Sequence, residues 1–316
     1  MAVRLEDIYA AARRIDGLTF RTPLRLSEWL SGPDANVFLK LETVQPTCSY
    51  KIRGAFNAVQ QLSAEGNAEV RLVTASAGNH GRALAYAAGM FDLPLVVFIA
   101  RDAPRAKIDA IAQCGAELRP CADYDEAERE AKSFAAAGGG LYISPYSHPD
   151  IIAGAGTIGL ELAAHEMALD AVIVPIGGGG LISGIGIALD ALSPQTRVIG
   201  VEVAASCPFT TSLAAGRLVT IDVGPSLADG LTGNLDPDTV TLDIVRDLVD
   251  EIVVVEEDDL RRALAGVVRH EHVIVEGAAA AGPAALLSGR VQARGNVAVV
   301  LSGANIDGNV LADALR

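Results

Sequence analysis

Short apolar runs alternate with helical patterns almost from one end of the 316-residue chain to the other. The segments Val37 to Leu41, Val70 to Thr74, Leu95 to Ile99, Glu117 to Arg119, Leu141 to Ile143, Ala171 to Pro175, Val198 to Val203, Glu251 to Val255 and Val297 to Leu301 read as strands. Between them, apolar residues recur at helical spacing in Asn79 to Met90, Ala103 to Cys114, Asp123 to Ala136 and Ile182 to Leu192. This alternation predicts an α/β fold of mostly parallel sheets covered by helices on both faces. The strands fall into one short and one long series, which predicts two lobes. The break after Leu62 and the turn from Ser144 to Pro149 bound an inserted smaller lobe, residues 63–148, leaving 1–62 and 149–316 as the larger one.

Ala171 to Leu189 carries no charge and imitates a membrane span, but it holds Pro175 and the consecutive glycines Gly177, Gly178, Gly179 and Gly180. These break a spanning helix in its middle, so the segment reads as strand, loop and buried helix, and no membrane association is expected. A formal charge of −14 argues against nucleic acid and anionic surfaces as partners. The four cysteines form no C-x-x-C pair, and the N-terminus lacks the apolar core of a signal peptide. A reducing cytoplasm is expected.

Ligands of open α/β sheets collect beyond the carboxyl ends of strands, and three such positions are unusual. After Ala171–Pro175 the tetraglycine turn Gly177–Gly180 lets successive N–H groups converge on one anion at a helix start. It lacks the Gly-Lys-Ser/Thr of a nucleotide P-loop, which points to a phosphate carried by something other than a nucleotide. After Val70–Thr74, the loop Ser76-Ala77-Gly78-Asn79-His80 offers a hydroxyl and an amide at another helix N-terminus; it suits a carboxylate or a ring oxygen, or ordinary capping. After Val297–Leu301 stands Ser302, which also suits a simple turn cap. Gly154-Ala155-Gly156-Thr157-Ile158-Gly159 is a literal G-x-G-x-x-G, yet no strand runs into it, and close helix packing explains its glycines better.

Lys51 is one of four lysines and stands where the strand Val37–Leu41 has ended and a helix begins, with Ser49 as the expected cap. A cation in the first turn opposes the helix dipole, which favours a neutral, nucleophilic amine. The same string also suits a surface lysine.

Together these residues resemble the fold-type II pyridoxal phosphate enzymes, in particular the threonine/serine dehydratase and serine racemase branch. The motifs that carry the likeness run through the chain in order: Ser49-Tyr50-Lys51-Ile52-Arg53-Gly54-Ala55, Ser76-Ala77-Gly78-Asn79-His80, Pro145-Tyr146, Gly177–Gly180, Ala228-Asp229-Gly230, Glu276-Gly277-Ala278 and Ser302-Gly303-Ala304-Asn305. The resemblance implies a tryptophan synthase β-like fold, two open twisted sheets flanked by helices, and a homodimer.

It further implies pyridoxal 5'-phosphate held as a Schiff base on Lys51, which also serves as the base at the substrate Cα. Gly177, Gly178, Gly179 and Gly180 would hold the cofactor phosphate, Asn79 the ring hydroxyl oxygen, and Ser302 the pyridine nitrogen. Glu276 would lie near the cofactor or be a buried structural carboxylate. Ser76, Ala77, Gly78, Asn79, His80 and Tyr146 would bind the amino-acid substrate. The implied reaction removes water from L-threonine, L-serine or a relative such as 3-hydroxyaspartate and leaves a 2-oxo acid and ammonia. A neutral hydroxyl at the ring nitrogen favours such β-elimination over transamination.

The alternatives are an amino-acid racemase of the same fold and a non-catalytic protein that binds the cofactor. Racemases of the branch carry a second serine where Ala77 stands, so dehydratase ranks first. Metal-binding members pair a glutamate, here Glu202, with an aspartate six residues on, and here that position is Pro208. A divalent site is therefore expected to be incomplete. Eleven residues follow Asn305, so no C-terminal regulatory domain is expected. The loop Asp222 to Asp238 is the candidate lid or subunit contact.

Overall fold

The computed structural model describes residues 3–64, 66, 69–101 and 103–316. Its first half runs α1 (Leu5–Arg14), β1 (Leu24–Gly32), β2 (Ala35–Leu41), α2 (Lys51–Ala64), β3 (Leu72–Ala75), α3 (Asn79–Met90), β4 (Leu95–Ala100), α4 (Arg105–Ala112), β5 (Glu117–Cys121), α5 (Tyr124–Phe134), β6 (Leu141–Tyr142) and α6 (Pro149–Ala163). The second half runs β7 (Ala171–Pro175), α7 (Gly180–Leu192), β8 (Arg197–Val203), α8 (Pro208–Ala215), α9 (Thr241–Leu248), β9 (Glu251–Val255), α10 (Glu257–Gly266), α11 (Gly277–Leu287), β10 (Gly295–Leu301) and α12 (Gly308–Ala314).

The strands form a six-stranded sheet ordered β1-β2-β10-β7-β8-β9 and a four-stranded sheet ordered β5-β4-β3-β6. Pairing is parallel throughout except between β1 and β2. This is the expected fold: two mostly parallel sheets with helices on their faces. β7 is buried along its whole length, as a parallel strand covered on both sides must be. Its core joins Val37, Leu39, Ile173, Val201 and Val299 to the alanine-rich α11 on one face, while Val172, Val174, Ala298 and Val300 meet α7 on the other. The lobe break expected after Leu62 abuts the undescribed residues 65, 67 and 68, and Met1 and Ala2 of the expected leaderless N-terminus also lie outside the described residues.

Sequence reading misses β1. Its residues, Leu24 to Gly32, interleave polar and apolar side chains, and only Ser27 is fully buried. It is an antiparallel edge strand whose register shifts between Ser27 and Gly32, so it needs neither a continuous apolar run nor a regular alternation.

The uncharged stretch from Ala171 resolves into β7, a glycine turn and the buried α7, and no helix among the described residues is long and apolar enough to cross a membrane. The G-x-G-x-x-G string lies inside α6. A Cβ on Gly154 would stand 2.5 Å from the Gly54 Cα of α2, and one on Gly184 of α7 would stand 2.4 Å from the Ile152 carbonyl oxygen of α6. The three helices therefore touch backbone to backbone. Because α2 begins at Lys51 and α7 at Gly180, this contact brings the lysine and the glycine turn to one end of the molecule.

Candidate active site

Lys51 is the first residue of α2, and its N–H donates to Ser49 Oγ at 3.3 Å. The turn ahead of it is fastened to the end of β10: Tyr50 N–H donates to Ser302 O at 3.0 Å, and Ala304 N–H donates to Cys48 O at 2.9 Å. Cys48 holds φ at 56°, a left-handed conformation that glycine adopts without strain. The Lys51 ammonium donates to the Pro145 carbonyl at 2.7 Å and lies 5.1 Å from the centre of the Tyr50 ring.

Two residues further on, Arg53 anchors the helix from below. Its guanidinium is 1 % exposed; it forks onto Glu42 through Nε and Nη2, both at 2.8 Å, and reaches Glu161 at 2.6 Å and Thr157 Oγ1 at 3.1 Å. Lys40 completes the cluster by bonding Glu161 and the Thr22 carbonyl. Two cations face two carboxylates, so the buried charges cancel. Burial alone would raise the Glu42 carboxyl, but Arg53 beside it holds it below the usual carboxylate range.

Lys51 opens into a cleft of about 670 Å³ that is also lined by Ser76, Ala77, Gly78, Asn79, His80, Tyr146, Gly177, Gly178, Gly179, Gly180, Glu276 and Ser302. Three strand-end loops and the lysine thus converge, because the strands of each parallel sheet end on one side.

In the glycine turn, Gly179 adopts φ 85°. A Cβ on Gly178 would lie 2.2 Å from the Tyr146 ring, and one on Gly180 2.6 Å from the Tyr146 carbonyl. Side chains are excluded on this side. Among the described residues, no protein acceptor takes the N–H groups of Gly177 through Ile182, while Thr241 Oγ1 binds the Gly178 carbonyl at 2.8 Å. An array of unspent donors at the positive end of a helix that lacks a cation is a cradle for an anion of phosphate type.

Tyr146 is the floor of that turn, and its hydroxyl accepts the Asp236 N–H at 2.9 Å. Ser302 is a buried residue, yet it lines the cleft, and its hydroxyl has no protein partner among the described residues.

The loop opposite is built on α3. Ser76 Oγ accepts the Gly78 N–H at 3.2 Å, and Asn79 begins the helix. The His80 ring is buried, its Nε2 faces the Ile143 carbonyl at 3.3 Å, and its Nδ1 has no partner among the described residues. Burial first, and the Lys51 charge second, depress its pKa to about 3, so it stays neutral at ordinary pH. Burial also raises the Glu276 carboxyl to about 7, and Asn79 Nδ2 donates to its Oε1 at 2.7 Å.

Of the two metal candidates, Glu202 faces the start of α8, where Pro208 is the first residue. Both Glu202 oxygens are taken by the start of α8: Oε1 accepts the Phe209 N–H, and Oε2 accepts the N–H and hydroxyl of Thr210. Pro208 contributes no side-chain ligand.

Some contacts around the cleft carry no local sequence signal, even where one partner belongs to a motif. Arg82 and Asn305 bind each other across 223 positions of sequence. Two aspartates of the loop 222–238 make ion pairs with helices of the smaller sheet: Asp229 with Lys107 at 2.5 Å, and Asp236 with Lys132.

The sequence matches the family described as "Pyridoxal-phosphate dependent enzyme" over residues 15–303. It is 38 % identical over 312 residues to an L-threonine ammonia-lyase of Thermotoga maritima, an alignment covering 98 % of this chain and 77 % of that one. It is 37 % identical to a catabolic L-threonine dehydratase of Escherichia coli, covering 97 % and 94 %. Its fold superposes on that of maize serine racemase with a TM-score of 0.91 at 31 % identity, covering 100 % of this chain and 97 % of the other. The unpaired glycine-turn donors, a lysine beside them and the unpartnered Ser302 hydroxyl in the same cleft suit the phosphate, aldehyde and ring nitrogen of this cofactor, and the chain belongs to the pyridoxal-phosphate-dependent enzymes of fold type II.

Proposed function

We propose that the protein is a dehydratase that converts a β-hydroxy amino acid, L-serine, L-threonine or a relative such as 3-hydroxyaspartate, to a 2-oxo acid and ammonia. The observation that carries this reading is a Lys51 amine and an unpartnered Ser302 hydroxyl lining the same cleft as the glycine turn, with an alanine at position 77 of the facing loop. When bound, the cofactor supplies the electron sink that makes the Cα proton acidic.

The N–H groups at the start of α3 and the Ser76 hydroxyl would orient the substrate carboxylate. Lys51 would take the Cα proton, and hydroxide would leave Cβ as water after receiving a proton. The freed enamine then takes up one water and releases ammonia, which balances the reaction as amino acid to 2-oxo acid plus ammonia. Ser302 would hydrogen-bond the ring nitrogen without delivering a charge, and Gly177–Gly180 would hold the phosphate. Neutral His80 lacks the second ring proton of an imidazolium, and its one N–H faces the Ile143 carbonyl, so it is no acid for this step. Racemisation needs a group on each face of Cα, and Ala77 offers none.

The smaller lobe, 63–148, and the larger, 1–62 with 149–316, would close on the amino acid between them. A homodimer in the cytoplasm fits the family and the four free thiols. Pyridoxal phosphate would act without a divalent ion at Glu202, whose oxygens already cap α8. Incubation with a panel of L- and D-hydroxy amino acids is expected to yield 2-oxo acid from at least one L-substrate. Chiral inversion with no oxo acid from any of them would overturn the proposal in favour of a racemase.

A further inference from the structure

Asn79 is joined to a chain of side chains whose donor and acceptor ends are fixed by chemistry. Arg82 Nη1 donates to Asn305 Oδ1 at 2.6 Å, and a guanidinium has only hydrogens to offer. Asn305 Nδ2 donates to the Thr47 carbonyl at 2.9 Å, and a backbone carbonyl only accepts. The Asn305 amide therefore has one permitted orientation, oxygen toward Arg82 and nitrogen toward Thr47.

The same nitrogen lies 2.6 Å from Asn79 Oδ1, so Asn79 must present its oxygen to Asn305 and its own NH2 to the other side. There one hydrogen goes to Glu276 Oε1 at 2.7 Å. An amide nitrogen carries two hydrogens, and the second is left for the cleft, which Asn79 lines.

We infer that Asn305, held between Arg82 and the Thr47 carbonyl, is a positioning residue that makes Asn79 a hydrogen-bond donor toward the cofactor's ring oxygen. The inference rests on the reading that Asn79 faces that oxygen. An amide free to turn would present its carbonyl in part of the population, and two oxygens without a proton between them repel. The relay joins α3 of the smaller sheet to the end of β10, the start of α11 and the turn before α2, so it also ties the donor's orientation to the fit between the two sheets.

Asn305→Asp keeps the shape and the acceptor for Arg82 but removes the NH2. Asn79 then turns its own NH2 toward residue 305 and its oxygen toward Glu276 and the cleft. The expected result is about tenfold or greater weakening of pyridoxal phosphate binding to the cofactor-free protein, followed by fluorescence. A shift in the pH at which the visible band of the bound cofactor titrates should accompany it. Arg82→Met removes one of the two constraints and should move both readouts in the same direction by less, while Arg82→Lys, still a pure donor, should restore them.

Unchanged affinity and an unchanged band in Asn305→Asp overturn the inference, as does a fall in turnover alone. If Asn305→Asp does not fold, the same readouts in Arg82→Met decide. Asn79→Asp separates the two levels. Should it leave binding and band untouched, the placement of Asn79 at the ring oxygen fails; should it move them while Asn305→Asp does not, only the relay fails.

Discussion

Glu276 shows how one buried side chain couples the site to stability. Burial raises its carboxyl from 4.5 to about 7. Between those values the folded protein holds a proton that the unfolded chain has released. Its contribution is fully present below the unfolded value and is lost as pH rises through about 7, a decline on the order of 3 kcal/mol at most. Glu276→Gln cannot ionise, so urea unfolding of the cofactor-free protein at pH 5 and pH 8 should show a smaller fall for the variant than for the parent. Equal falls would mean that Glu276 titrates normally. The sequence pointed to Glu276 only through a motif, because its environment is supplied by Asn79, 197 positions away. Lys51 and the tetraglycine turn were legible for the opposite reason: each owes its chemistry to its immediate neighbours, a strand before and a helix after. The polarity of Asn79 was not legible, since it is set by Arg82, Asn305 and Thr47 through three long-range contacts.

Among the elements, strands with both faces covered announced themselves by unbroken apolar runs, whereas β1 did not. An edge strand that buries only Ser27 completely leaves no such run. Helix packing was half legible. The glycines of α6 were visible, and their reason, contact with the backbones of α2 and α7, came from the fold. Gly154→Ala places a methyl 2.5 Å from the Gly54 Cα, where no flexible side chain gives way. We expect a loss of about 1–3 kcal/mol or more by urea unfolding, and weaker cofactor binding, because α2 carries Lys51. Gly308→Ala meets nothing within 4 Å and serves as the control, with stability unchanged or slightly raised. A neutral Gly154→Ala would contradict the backbone contact.

For the whole molecule, parallel topology turns scattered residues into one site. Loops at positions 51, 76–80, 177–180 and 302 meet because the strands of each sheet end together, and helices α2, α6 and α7 hold the two sheets in register. Charge is arranged on the same plan. In a chain of net −14 with four lysines, three are engaged by carboxylates: Lys40 with Glu161 beneath α2, Lys107 with Asp229, and Lys132 with Asp236. The last two tie the loop 222–238 to α4 and α5, an assembly that alternation of strands and helices does not reveal.

Among the described residues, Lys51 is the only lysine that lines the cleft beside the glycine turn with no carboxylate partner of its own. Borohydride reduction of the cofactor-loaded protein followed by peptide mass spectrometry tests this directly. The pyridoxyl group is expected on Lys51 alone, and Lys51→Ala should lose both the adduct and the visible colour. An adduct on Lys40, Lys107 or Lys132 in the parent protein, or colour that survives the substitution, would contradict it.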